Sequence, residues 1–271
     1  MDPRIVEAIV LRRRDLGEND RVVTLLTDTE GKLDAVAKGA RKAGAKAAAA
    51  SEPITKVRVQ LVQGRRLAVT TQWEVLDTFR LLRADLGLLA RAIYLCDLTA
   101  ELTVDHEPCT EVYRLLEDAL GRLCQAANRP RSAQDRIVYG FELRLLQERG
   151  YGLATATCAH CSTDVYRLSR DIRLSFSPAA GGVLCPSCRY KLRDSFAIAT
   201  DVLHAIDALT TEELDRIEGV HLTADAERAV RKCLRWCIRY RCEKDLKSAA
   251  LLEAARAAEG AEQPAHSQGA C

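Results

Sequence analysis

The chain has 271 residues and 48% hydrophobic content, enough for a sizeable core, which excludes a wholly disordered protein. Its 40 Lys+Arg against 38 Asp+Glu leave a formal charge of +2, so a uniformly polybasic protein is excluded and any nucleic-acid affinity must come from a local patch. No apolar stretch approaches the ~18 residues of a membrane span, and Met1-Asp2-Pro3-Arg4 lacks the pattern of a secretory signal, so a cytoplasmic protein is expected.

Residues 5–80 carry the period-two pattern of strands. Ile5-Val6-Glu7-Ala8-Ile9-Val10-Leu11, Arg21-Val22-Val23-Thr24-Leu25-Leu26-Thr27 and Lys32-Leu33-Asp34-Ala35-Val36-Ala37 are each bounded by Gly, Asp or Asn. Residues 56–62 alternate strictly, Gln63-Gly64-Arg65-Arg66 turns the chain, and 67–71 returns as a hairpin partner, with 73–76 extending the sheet. Five short strands in about 75 residues predict a small closed barrel over 1–80, of the oligonucleotide-binding (OB) type, with an SH3-like barrel as the other fit.

From residue 81 the apolar period becomes 3.6, through Leu81, Leu82, Leu86, Leu89, Ile93, Leu95 and Leu98, then Val112, Leu115, Leu116, Ala119, Leu120 and Leu123. A third helix, 133–149, aligns Ile137, Phe141, Leu145 and Leu146 and ends at Gly150, where a helix C-cap belongs. After a cysteine-bearing segment, 202–209 and 225–252 return to helix. The predicted fold class is α+β: an OB-type barrel over 1–80, then a helical domain over 81–252 with a cysteine motif inserted at 155–192. Residues 253–271, Ala-rich and then Gln, Pro, Ser and Gly, are expected to be a disordered tail.

Eleven cysteines is an odd number, and four of them form Cys158-x-x-Cys161 and Cys185-x-x-Cys188. Each pair makes a tight turn whose thiolates can share one ion, and the stretch between is long enough to go out and back as a hairpin. Gly181-Gly182 and Pro186 supply the turn chemistry. The spacing predicts one tetrahedral Zn2+ held by Cys158, Cys161, Cys185 and Cys188, and four thiolates make it structural because no coordination position stays open for a water. His160 is expected at the surface. Cys233 and Cys237 continue the apolar stripe of Val230 and Leu234, so they are expected to pack as small hydrophobes.

Charge is concentrated between Lys32 and Arg66. Nine basic residues there, Lys32, Lys38, Arg41, Lys42, Lys46, Lys56, Arg58, Arg65 and Arg66, face only Asp34 and Glu52. On a small barrel they fall on a strand, its following loop and the next hairpin, and are expected to form one groove that tracks a phosphate backbone. Lys38-Gly39-Ala40-Arg41-Lys42-Ala43-Gly44-Ala45-Lys46 is expected to be a flexible basic loop. The first 80 residues hold only Trp73 and Phe79 as aromatics, so binding there should be dominated by phosphates and little affected by base sequence. A second basic feature, Arg228, Arg231, Lys232, Arg235 and Arg239, recurs at helical spacing and reads either as a docking face for an acidic peptide or as a solvated surface.

No phosphate-binding glycine loop, nucleophile elbow or His-Glu zinc motif is present, and the acidic residues are too dispersed for a two-metal nuclease. A binding protein is expected, not an enzyme. The rival reading is a zinc-ribbon transcriptional regulator, which would need a base-reading helix that the sequence does not offer.

Gly17-Glu18-Asn19-Asp20-Arg21, followed by Leu25-Leu26-Thr27, Gly31-Lys32-Leu33 and Ala37-Lys38-Gly39-Ala40-Arg41, resembles the N-terminal signature of the RecO family of bacterial DNA repair and recombination mediators. The resemblance continues through Phe141-Glu142-Leu143-Arg144-Leu145-Leu146, Gly150-Tyr151 and the cysteine pairs. It implies an OB-type barrel, a helical domain with a zinc motif, and activity without turnover: binding of single- and double-stranded DNA, strand annealing, contact with the acidic tail of single-strand binding protein, and, with RecR, loading of RecA at gaps in the RecF pathway. It implies a cytoplasmic, nucleoid-associated protein. Carried onto this chain, it places Arg21, Lys32, Lys38 and Arg41 at DNA, beside Lys42, Lys46, Arg65 and Arg66 from the charge pattern.

Overall fold

Strand β1 (Arg4–Leu16) is long enough to pair twice: residues from Arg4 to Ile9 lie antiparallel to β4 (Lys56–Val62), and Ala8 to Leu16 antiparallel to β2 (Asp20–Thr27). A register shift between Val10 and Arg12 bends it between the two partners. β2 continues into β3 (Gly31–Ala37), β4 into β5 (Ala68–Asp77), and parallel pairing of Ala35, Val36 and Ala37 with Ala68, Val69 and Thr70 closes the barrel in the order β1-β2-β3-β5-β4. This is the OB-type connectivity. The computed structural model describes residues 3–42, 44–168 and 173–262.

The barrel core follows from strict alternation, with Val6, Ala8, Val10, Val23, Leu25, Leu33, Ala35, Ala37, Val57, Val59 and Leu61 all pointing inward. Alanines at the tightest positions let a barrel this small close without overpacking. Gly31, at φ +74°, admits no side chain: a Cβ there would sit 1.9 Å from the carbonyl oxygen of Glu107, whose segment crosses the β2–β3 turn with a His106 N–H to Lys32 O bond of 2.7 Å.

By Cα proximity the chain forms two compact units, the described residues up to Arg131 with those from Asp245 onward, and Ser132–Lys244. In the first, the barrel is joined by the short α1 (Lys46–Ala50), α2 (Arg80–Ala84), α3 (Leu86–Leu102), α4 (Thr110–Gln125) and α8 (Lys247–Glu262). The second holds most of α5 (Arg131–Glu148), with Ile137, Phe141, Leu145 and Leu146 buried as the 3.6 period requires. It also holds α6 (Thr200–Thr211), α7 (Ala224–Cys242) and a sheet of β6 (Leu174–Ser177), β7 (Gly182–Leu184) and β8 (Phe196–Ile198) in the order β7-β6-β8. Among the described residues no helix is long and apolar enough to cross a membrane.

Two sequence expectations change here. The continuous helix over 225–252 is broken at Glu243, which takes a left-handed conformation at φ 55° and caps α7. The expectation of a disordered tail over 253–271 does not hold for residues 253–262, which complete α8. The physical reason is Glu259. It accepts two 2.9 Å hydrogen bonds from Arg91, whose side chain is 0% exposed, and lies 3.2 Å from Arg131. Leu252 and Ala255 add buried apolar surface. The expectation for 263–271 lies outside the described residues.

A buried cation left without its carboxylate is far costlier than the pair's net worth. Glu259→Ala is therefore expected to lower stability by about 3–5 kcal/mol, read from urea unfolding.

Asp85 caps α3 through the Leu88 N–H at 2.8 Å and accepts from Arg131 at 2.7 and 3.0 Å. The Arg131 guanidinium, helped by that N–H and opposed by partial burial, holds the Asp85 carboxyl below the usual carboxylate range. A carboxyl depressed in the folded state contributes stability that is complete above about pH 4 and lost as the pH falls through the folded value. Denaturant midpoints measured from about pH 6 to pH 3 should fall, and less steeply in Asp85→Asn.

Candidate metal centre and nucleic-acid interface

In the second unit, residues 152–157 run beside β7, with Ala154 N donating to Gly181 O at 2.9 Å and Val183 N to Ala154 O at 2.8 Å. Gly182 permits this approach, since a Cβ there would lie 2.4 Å from Ala154 O. The first knuckle turns back through Ser162 N to Cys158 O and Cys158 N to Thr163 O, both 2.8 Å, while the second leaves β7 and closes with Cys188 N to Cys185 O at 3.0 Å. The sulfurs of Cys158, Cys161, Cys185 and Cys188 thereby lie within 4.8 Å of one another, and can hold a metal ion.

Soft thiolates in a compact set of four suit a tetrahedral ion, for which metal–sulfur bonds of about 2.3 Å imply sulfur–sulfur edges of about 3.8 Å. Cys161 and Cys185 are 3.7 Å apart, so the donor set fits. Polar neighbours favour the thiolate at Cys158 and Cys161, whereas desolvation and the neighbouring sulfurs push the Cys188 thiol up to about 12. The Thr163 hydroxyl and N–H draw the exposed Cys161 thiol down to about 6, and the Cys185 N–H approaches Cys158 Sγ at 3.4 Å. His160 is exposed, as expected, with its Nδ1 3.8 Å from Cys188 Sγ at the edge of the cluster. Cys233 and Cys237 are buried in α7, where desolvation pushes both thiols up to about 12, as core residues and not as a second metal face. Cys185→Ser is expected to abolish tight binding of one metal ion per chain and lower the melting temperature, by metal analysis and calorimetry. Unchanged metal content would refute the site.

The expected single basic groove divides in two. The antiparallel registers put the β1–β2 turn and the β3–α1 loop at one rim of the barrel, and the β2–β3 and β4–β5 turns at the other. Lys38, Arg41, Lys42 and Lys46 are exposed at the first rim, Arg65 and Arg66 at the second, so these two groups are not neighbours. The start of the basic loop, around Gly39 to Arg41, is pinned, contrary to its glycine content. Gly39 N donates to Asp20 Oδ1 at 2.8 Å, Arg41 N to Asn19 O at 3.0 Å, and Arg41 Nη1 to Gly17 O at 2.6 Å, while Ala40 is fully buried beneath it. The Gly17-Glu18-Asn19-Asp20 and Lys38-Gly39-Ala40-Arg41 motifs are thus two halves of one locked corner.

Arg21 and Lys32 are placed differently. Arg21, its side chain 13% exposed, spans Ala48 O at 3.1 Å, Ser51 Oγ at 2.9 Å and Glu52 at 3.1 Å and holds the end of α1. Lys32, 14% exposed, reaches Ala100 O at 2.5 Å and Asp105 at 3.2 Å and fastens β3 to α3. Both cations are engaged by internal acceptors. The charge pattern passed over Arg14, 63% exposed near the first rim, though the run Arg12-Arg13-Arg14 signalled it. Phe79 is buried and Trp73 packs on the barrel core.

Arg228, Lys232, Arg235 and Arg239 are exposed on α7, opposite the buried Val230, Cys233, Leu234, Cys237 and Ile238, with Arg231 half-buried at the edge. Arg228 pairs with Asp225, and Lys232 Nζ lies 4.3 Å over the Phe196 ring.

Residues 1–79 match the family model described as Recombination protein O N terminal, and residues 83–250 match Recombination protein O C terminal. Among similar proteins, the DNA repair protein RecO of Symbiobacterium thermophilum is 32% identical over 93% of this chain and 98% of its own length. That of Desulforudis audaxviator is 33% identical over 91% of this chain and 94% of its own, and that of Myxococcus xanthus 38% over 75% and 80%.

Proposed function

Because the chain belongs to the RecO family, we propose that it acts in DNA repair and homologous recombination as a mediator without catalytic turnover. It binds single- and double-stranded DNA without sequence preference, anneals complementary strands, and with RecR assists the loading of RecA onto DNA coated by single-strand binding protein, whose acidic tail it contacts. It works in the cytoplasm at the nucleoid.

The observation that carries this reading is the locked basic corner. Lys38, Lys42 and Lys46 stand exposed at one rim of the barrel, and among the described residues none of them makes an ion pair. Cations not consumed internally are available to phosphates, and binding them releases counterions from the DNA. Annealing requires relief of phosphate repulsion between two strands and no base readout, which a rim poor in exposed aromatics provides. Arg41 contributes less, since Gly17 O and Asp15 already engage it. Arg65 and Arg66 form a second, smaller contact at the other rim. The metal of the cysteine centre is zinc in this reading. Bound there, it would cross-link the two knuckles, and Cys158, Cys161, Cys185 and Cys188 would hold it.

Annealing of complementary oligonucleotides coated by single-strand binding protein tests the reading across a salt series. The wild-type chain should accelerate annealing and lose the effect as salt rises. Lys38→Ala with Lys42→Ala should lower the slope of log affinity against log salt by about 2, roughly one unit per phosphate contact. Arg21→Ala should lower stability and leave that slope unchanged. No acceleration by the wild type would refute the mediator reading.

A further inference from the structure

Among the described residues, the exposed aromatic rings all belong to the second unit and none to the barrel. Two of them, Trp236 at 46% and Tyr240 at 50% exposure, stand one turn apart on α7. They flank the ridge of Arg228, Lys232, Arg235 and Arg239, whose spacing of four, three and four residues extends about 16 Å along the helix at about 1.5 Å per residue. Guanidinium groups already lie beside the rings, Arg239 at 5.8 Å from the Trp236 centroid and Arg241 at 5.4 Å from that of Tyr240. Next to them opens a cavity of about 450 Å³ lined by Pro178, Asp194, Trp236, Arg239, Tyr240 and Glu243, a size that admits a nucleobase.

The lining decides between occupants. Asp194 is held in place by Ser177 Oγ at 2.9 Å and Ala179 N at 2.8 Å, and Glu243 terminates the helix beside it. These two carboxylates repel any anion from the cavity itself, peptide carboxylate or phosphate, but they can accept hydrogen bonds from the exocyclic amino groups of bases, so a base suits the cavity while the phosphates stay on the cationic ridge outside it. Cations in a row, rings beside them and acceptors in the cavity are complementary to a single strand of nucleic acid.

We propose that α7 is a stacking platform for single-stranded DNA, with bases on Trp236 and Tyr240 and phosphates along Lys232, Arg235 and Arg239. This replaces the acidic-peptide docking face expected from the spacing of these basic residues alone. The proposal rests on the DNA-binding reading above and adds a surface outside the barrel, one that contacts base faces as well as phosphates.

The chain contains two tryptophans, so Trp73→Phe leaves Trp236 as the only indole. This full-length variant is titrated with a fluorescein-labelled oligodeoxycytidylate, whose bases carry exocyclic amino groups, following label anisotropy and tryptophan emission together. Emission should be quenched in step with the rise in anisotropy. Trp236→Ala with Tyr240→Ala should weaken binding about tenfold, with Trp236→Phe near the parent and an unchanged circular dichroism melt as the control for folding. Rising anisotropy with unchanged emission would overturn the platform and leave DNA binding by the barrel intact. No rise in anisotropy would overturn both. Quenching by an acidic peptide, with none by the oligonucleotide, would overturn the platform in favour of a peptide site.

Discussion

Closure of the barrel by the parallel pairing of β3 and β5 is the constraint on which the arrangement of the first unit depends. It joins only Ala35, Val36 and Ala37 to Ala68, Val69 and Thr70, yet it removes the free sheet edges. Small side chains at Ala35 and Ala37 let the wall curve tightly enough to meet itself. The antiparallel β1–β2–β3 meander brings the β1–β2 turn and the β3–α1 loop to the same rim, where they lock together through Asp20, Asn19 and Gly17. The start of a loop rich in glycine and lysine is held because the N–H groups of Gly39 and Arg41 find acceptors at that rim.

The same closure sorts the positive charges. A cation on the barrel wall next to a backbone carbonyl or a carboxylate is consumed by it, as Arg21 is at the end of α1, Lys32 at Ala100 and Arg12 at Asp97 and Glu101. A cation at a rim beyond the reach of such acceptors keeps its charge for an outside partner. Sign and number of charges are therefore poor guides to a DNA surface until the local acceptors are known. Arg91 is the extreme case, fully buried and satisfied by a glutamate 168 positions away.

The cysteine module obeys a different economy. Its three short strands bury only a small cluster around Val165, Leu174, Val183, Leu184 and Leu203, in which three of the four cysteines themselves take part. A core of that size is small for a module on its own, and a metal ion shared by the four thiolates would supply a further cross-link. The knuckles are kept in register by backbone hydrogen bonds to β7, so thiolate geometry and sheet geometry support each other.

The sequence by itself determined the elements whose signal is periodic or set by fixed spacing. Five alternating strands, the helical stripes of α3 to α5 and the four cysteines were all legible because burial on one face, or one shared ion, imposes a local pattern. The residues that carry function were legible only in kind. Whether Lys32 and Lys42 serve the same surface depends on Ala100 and Asp105, far along the chain, and whether residues 253–262 are ordered depends on Arg91. The break at Glu243 had no glycine or proline to announce it, and Asp194 meets Trp236 only after β8 and α6 have returned the chain. Those outcomes belong to tertiary structure because a hydrogen-bond acceptor or a cavity wall acts through distance in space, and a local sequence window contains no record of it.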